Sequence, residues 1–64
     1  MLPYAKWVED SDPNRILVEC SINNILEVQK LFIELGFYIL KVVFILEDDS
    51  VYMKMQKDEG EDII

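Results

Sequence analysis

The sequence predicts an α+β fold: a single small β-β-α-β-β domain with one helix packed on one face of a four-stranded, mostly antiparallel sheet. Three observations predict it. The ten residues from Phe37 to Leu46 are apolar but for Lys41, which reads as an unbroken strand. Before them, Ser21-Ile22-Asn23-Asn24 opens a segment of helical periodicity that Gly36 closes. Two segments ahead of the helix and one after Phe37–Leu46 alternate with the period of strands.

Taken in order, residues 3–8 favour a short strand, with Pro3 at its start. Glu9-Asp10-Ser11-Asp12-Pro13-Asn14 is a cluster of turn formers. The second strand runs from Arg15 to Ser21, with Ile16, Val18 and Cys20 on one face and Leu17 and Glu19 on the other. Pairing the two so that Ala5 and Trp7 share the face of Ile16 and Val18 keeps Lys6 outside. In the helix, Asn24 and Glu27 have capping-box spacing, with Asn23 and Ser21 as alternative caps, and Gly36 stands where a left-handed C′ residue belongs. Ile25, Val28, Leu31, Phe32 and Leu35 fall within an arc of about 120°, the core face. Leu26 and Ile33 form a second, narrower apolar stripe.

Phase divides the third strand. Tyr38, Leu40, Val42, Phe44 and Leu46 lie on one face, assigned to the helix together with Ile16, Val18, Cys20, Val51, Met53 and Met55. Phe37, Ile39, Lys41, Val43 and Ile45 lie on the other. A turn at Glu47-Asp48-Asp49-Ser50 sets Leu46 opposite Val51, Phe44 opposite Met53 and Val42 opposite Met55. The strand order is either 1-2-3-4 or has the last strand between the second and third, and the apolarity of the third argues for a central place. The domain covers residues 1–57, and the acidic residues 58–64 read as a frayed tail.

One helix covers one face. Leu17, Phe37, Ile39, Val43, Ile45 and Tyr52 are left on the other, a larger contiguous patch than monomers usually expose. Sheet-on-sheet homodimerisation is the plainest cover for it, and the helix stripe Leu26 and Ile33 is a further candidate contact.

Composition narrows the function. Sixty-four residues make one domain, and 52% apolar content is too high for a disordered chain. Six basic residues against thirteen acidic ones leave a net charge of −7. That balance disfavours direct nucleic-acid binding and anionic membranes, and favours partners with basic surfaces. The amino-terminal residues do not resemble a secretory signal, the longest apolar run is half a membrane span, and Cys20 has no disulfide partner. A cytoplasmic protein is the expectation.

No motif carries catalysis, a metal or a cofactor. Asp10-Ser11-Asp12-Pro13-Asn14 matches the start of a calcium loop, but Arg15 replaces its glycine and Ser21 its bidentate glutamate. Cys20 has no histidine to serve as its base, and its phase with Ile16 and Val18 makes it a core residue. Trp7, Tyr38 and Tyr52 are interleaved with acids, as core or interface aromatics and not as a base-stacking set. Carboxylate pairs sit at solvated turn tips, without a pocket to separate their pKa values.

The acidic clusters remain: Glu9, Asp10 and Asp12 in the first turn, Glu47, Asp48 and Asp49 in the second, and Asp58, Glu59, Glu61 and Asp62 in the tail. The expected function is a small acidic protein-interaction module, homodimeric, that regulates or inhibits a larger partner. A phage-type inhibitor that mimics a phosphate backbone on a basic nucleic-acid-binding surface is its most specific form. The strand-helix-strand-strand order is similar to half of a ferredoxin-like or ACT-type domain, in topology alone. The topology carries no function by itself; the alternative function is an ACT-like ligand-binding regulatory dimer in which paired sheets build a pocket at the interface, and a structural subunit of a larger assembly is the third reading.

Overall fold

A computed structural model describes residues 3–57 of the chain. The elements are β1 (Tyr4–Glu9), β2 (Asp12–Ser21), a 3-10 turn (Ile22–Asn24), α1 (Ile25–Glu34), β3 (Phe37–Ile45), a second 3-10 turn (Leu46–Asp48) and β4 (Ser50–Lys57). The strands form one sheet in the order β1-β2-β4-β3, and every pairing is antiparallel. The α+β fold and its element order are those the sequence predicts. β2 and β3 run parallel to each other, joined by α1, and β4 fills the strand-wide gap between them. β3 is therefore an edge strand and not a central one. Its apolarity does not come from burial within the sheet.

The first hairpin is tight. Asp10 and Ser11 both take left-handed φ values, 53° and 58°, as a two-residue type I′ turn requires. Pairing passes from Val8↔Ile16 to Glu9↔Asp12, so residues 13–15 bulge out of the ladder with β1. Pro13 lies in this bulge, where its missing N–H costs no ladder bond, and the Asn14 amide donates to Asp12 Oδ1 at 2.9 Å. This register reverses the predicted one. Lys6 stands opposite Val18 on the helix side, and Trp7 opposite Leu17 on the far side. Lys6 remains exposed because β1 is an edge, so no charge is buried.

The helix is entered through the first 3-10 turn, where Ser21 Oγ accepts from the Asn23 amide at 3.2 Å, while Asn24 makes no side-chain cap. Its exit matches the prediction: Gly36 has φ 99° and donates its amide to the Ile33 carbonyl at 3.0 Å.

The core is Ile16, Val18, Cys20, Val28, Phe32, Val51, Met53 and Met55, flanked by Ile22, Ile25, Leu31, Phe37 and Ile39. The predicted inner residues of β2 and β4 are all buried. Phe32 is the hinge of the packing: its ring meets Tyr4 edge-on at 5.2 Å and Phe37 at 5.8 Å, which links the two edge strands through the helix. Leu35, predicted on the core face, is exposed at the helix end.

Two local features reset β3. Leu46–Asp48 coil into the second 3-10 turn and Asp49 is left-handed, so Ile45 pairs with Ser50 and the hairpin register slips by two residues from prediction. Phe44 faces Val51 and Val42 faces Met53, and a slip of two keeps both on the helix side. A bulge between Ile39 and Lys41 then inverts the start of the strand. Phe37 and Ile39, predicted to lie open on the far face, turn inward against the core, and Tyr38, assigned to the helix, turns outward.

Candidate interaction surface

The eight predicted interface residues fall into three places. Leu17, Val43, Ile45 and Tyr52 share the face of the sheet away from the helix, as predicted. Leu26 and Ile33 are exposed on the helix, Leu26 at 76%. Phe37 and Ile39 are withdrawn into the core flank by the β3 bulge.

The far face is also less uniform than its apolar members suggest. One row across the sheet reads Trp7, Leu17, Lys54 and Lys41, and the next reads Ala5, Glu19, Tyr52 and Val43. Lys54 and Glu19 thus stand in the middle of the face, with Lys41 beside Lys54. Trp7, Tyr38 and Tyr52 share this side with Arg15, Lys41 and Lys54, a grouping that strand spacing alone did not bring together.

The most exposed apolar stretch lies along the second half of β3. The helix covers Phe37 and Ile39 but leaves Leu40, Val42 and Phe44 open, Phe44 at 51%, and Leu46 beyond the strand end is 77% exposed. Val43 is open on the opposite face and Ile45 is half-buried there. From Leu40 to Leu46, then, apolar side chains stand on both sides of a strand whose outer backbone edge has no partner among the described residues. The sequence marked this stretch as apolar; its edge position, which makes it available, depends on where β4 inserts.

The two acidic turns lie at opposite ends of the sheet, and they differ in kind. In the first, Glu9 Oε1 lies 3.8 Å from Lys54 Nζ and Asp10 Oδ2 lies 3.9 Å from Arg15 Nη1, so basic residues of β2 and β4 offset it. The Asp12 carboxylate accepts from the Asn14 amide. In the second, Glu47, Asp48 and Asp49 are exposed and make no ion pair with another described residue. That turn is nonetheless held in shape: the Ile22 amide donates to the Asp49 carbonyl at 2.8 Å, and Ser50 Oγ donates to the Asp48 carbonyl at 3.3 Å. Asp58, Glu59, Glu61 and Asp62 lie outside the described residues.

Cys20 is buried in the core, and its pKa lies above the ordinary thiol value, chiefly because burial disfavours the thiolate and secondarily because of the Glu19 charge. A raised pKa is the opposite of what an activated nucleophile needs. Among the described residues there is no group of three metal-ligating side chains, no cavity, and no helix long and apolar enough to cross a membrane.

No family model, curated protein or solved structure matches this chain. Its surfaces must speak for it.

Proposed function

We propose that this chain is a small acidic protein-interaction module that regulates or inhibits a larger partner carrying a basic surface. The observation that carries this reading is the turn Glu47-Asp48-Asp49: three exposed carboxylates on a backbone held by hydrogen bonds to the Asp48 and Asp49 carbonyls, with no ion pair to another described residue, and directly continuous with the exposed apolar stretch Leu40–Leu46. Unpaired charge on a rigid support accelerates and orients association with a surface of opposite sign. In its most specific form the module is an inhibitor of phage type that occupies the basic nucleic-acid-binding surface of its target. The first turn contributes less, because Lys54 and Arg15 already answer two of its three acids.

The test is capture from the native host with the wild-type chain and with Glu47→Gln/Asp48→Asn/Asp49→Asn. A partner held by the wild type, released by moderate salt and bound at least about tenfold more slowly by the neutralised turn supports the reading. The matched variant Glu9→Gln/Asp10→Asn should behave nearly as wild type. A partner indifferent to salt and to both variants overturns the electrostatic mechanism.

A further inference from the structure

We propose that the free edge of β3 is a homodimerisation seam, in which two copies of this chain pair β3 with β3 antiparallel about a two-fold axis at Val43. The proposal rests on the interaction-module reading and names the occupant of its apolar stretch.

The strand itself selects a second copy and a register. Between the bulge at Leu40 and the 3-10 turn at Leu46, β3 is regular over only five residues, Lys41 to Ile45. Two such segments pair along their whole length in one antiparallel register, with Val43 opposite itself. Directly opposed residues of antiparallel strands point to the same face. The axis at Val43 therefore stands perpendicular to the sheet, and both helices lie on one side of a continuous eight-stranded sheet. Val42 meets the second copy's Phe44 on that side, so two apolar residues that α1 leaves open cover each other. On the other side Lys41 meets the second copy's Ile45, which keeps the two lysines apart; an axis at Lys41 would set them face to face.

Charge favours the same arrangement. Running antiparallel from Val43, each Glu47–Asp49 turn passes the Phe37–Tyr38 end of the other copy. There Lys57, on β4 and so one strand further in from the seam, holds its ammonium 5.9 Å from the Phe37 ring centroid. Stacking the far faces of two sheets would instead press Lys54 and Glu19 into an apolar contact. A stable interface needs about 800 Å² from each partner, roughly a fifth of the 4480 Å² surface of this chain. The apolar residues from Leu40 to Leu46, open on both sides of the strand, extend the contact beyond backbone pairing toward that size. An unpaired apolar edge is also the feature that natural sheets protect or use.

The experiment is sedimentation velocity of the purified chain over a concentration series, joined to oxidative cross-linking of Val43→Cys and Lys41→Cys. The expected result is a shift from the monomer to the dimer coefficient, abolished in Val43→Lys, whose circular dichroism stays native because residue 43 is exposed. Across the axis the two introduced Val43→Cys positions lie within reach of a disulfide, with Cβ atoms about 5 Å apart before local adjustment. Lys41→Cys should stay uncross-linked. A monomer at every concentration overturns the seam, as does a dimer that Val43→Lys leaves intact or that cross-links through residue 41. No partner is present in this measurement, so its failure leaves the salt-sensitive capture through Glu47–Asp49 standing, and the converse holds as well.

Discussion

Replacing Phe32 with alanine should cost this protein a large part of its stability. Phe32 is buried to 2% exposure and its ring meets Tyr4 and Phe37 edge-on, at interplanar angles of 79° and 77°. Truncating a buried phenylalanine costs about 3–5 kcal/mol in lost transfer energy and residual cavity. A chain of 64 residues has a net stability of about 3–10 kcal/mol, at roughly 0.05–0.15 kcal/mol per residue. Phe32→Ala thus removes at least about a third of the total, and all of it at the lower bound. Phe32→Leu is the informative control. It keeps most of the apolar volume but removes two aromatic edge contacts, each worth about 0.5–1.5 kcal/mol, for a loss of about 1–3 kcal/mol. Urea unfolding followed by far-ultraviolet circular dichroism, at one fixed protein concentration, reads both. If Phe32→Ala shifts the midpoint by less than the equivalent of about 1 kcal/mol, the helix is not anchored to both sheet edges as described.

Two further predictions concern the hairpin and the thiol. Ser11→Gly relieves a left-handed backbone that L side chains adopt at a cost of about 1–2 kcal/mol, partly offset by the greater freedom of glycine in the unfolded chain. A net gain of about 0.5–1 kcal/mol is expected in the same urea assay, and a loss would contradict the type I′ turn. Cys20 ionises at a lower pH when unfolded than when folded, so the unfolded chain sheds its proton first as pH rises. Its contribution is full below the ordinary thiol pKa and is lost from there upward toward the folded value. Native Cys20 should therefore resist thiol reagents at mildly alkaline pH and react fully in denaturant; rapid labelling of the native chain would contradict its place in the core.

Much of the fold was legible because its signals are local. Alternation marked Ile16, Val18 and Cys20 as an inner row, and the same period marked Val51, Met53 and Met55. Gly36 could be read as a left-handed cap because that conformation favours glycine. The errors arose where an odd number of residues inserted into a ladder, one at Leu40 and three at residues 13–15, changes the face of every side chain beyond it. The bulge at Leu40 moved Phe37 and Ile39 inward and Tyr38 outward, and no composition signal distinguishes leucine in a bulge from leucine in a strand. The bulge at residues 13–15 likewise sets a β1 register that turns Lys6 to the helix side, where it escapes burial only because β1 is an edge strand. The sequence left two strand orders open, the observed one among them, and its preference for a central third strand failed for a different reason. An apolar strand can be apolar because neighbours bury it or because a second chain does, and these two causes leave the same residues.

The acidic turns show a related limit. Glu9, Asp10, Glu47, Asp48 and Asp49 look alike in the sequence, yet Arg15 and Lys54 come from strands β2 and β4 to meet only the first two. Which carboxylates find a basic partner among the described residues is a property of the sheet and not of the clusters. The same sheet leaves the Leu40–Leu46 edge open beside the second set.

Amide-resolved hydrogen exchange on the wild-type chain, at a dilute and a concentrated sample, tests that edge most directly. The outward-facing amides between Lys41 and Ile45 should exchange quickly when dilute and become protected as concentration rises, while the edge amides of β1 stay fast at both. Protection along β3 that does not depend on concentration would mean that something within the chain already covers the edge. Fast exchange there at both concentrations would mean that β3 is no seam between copies.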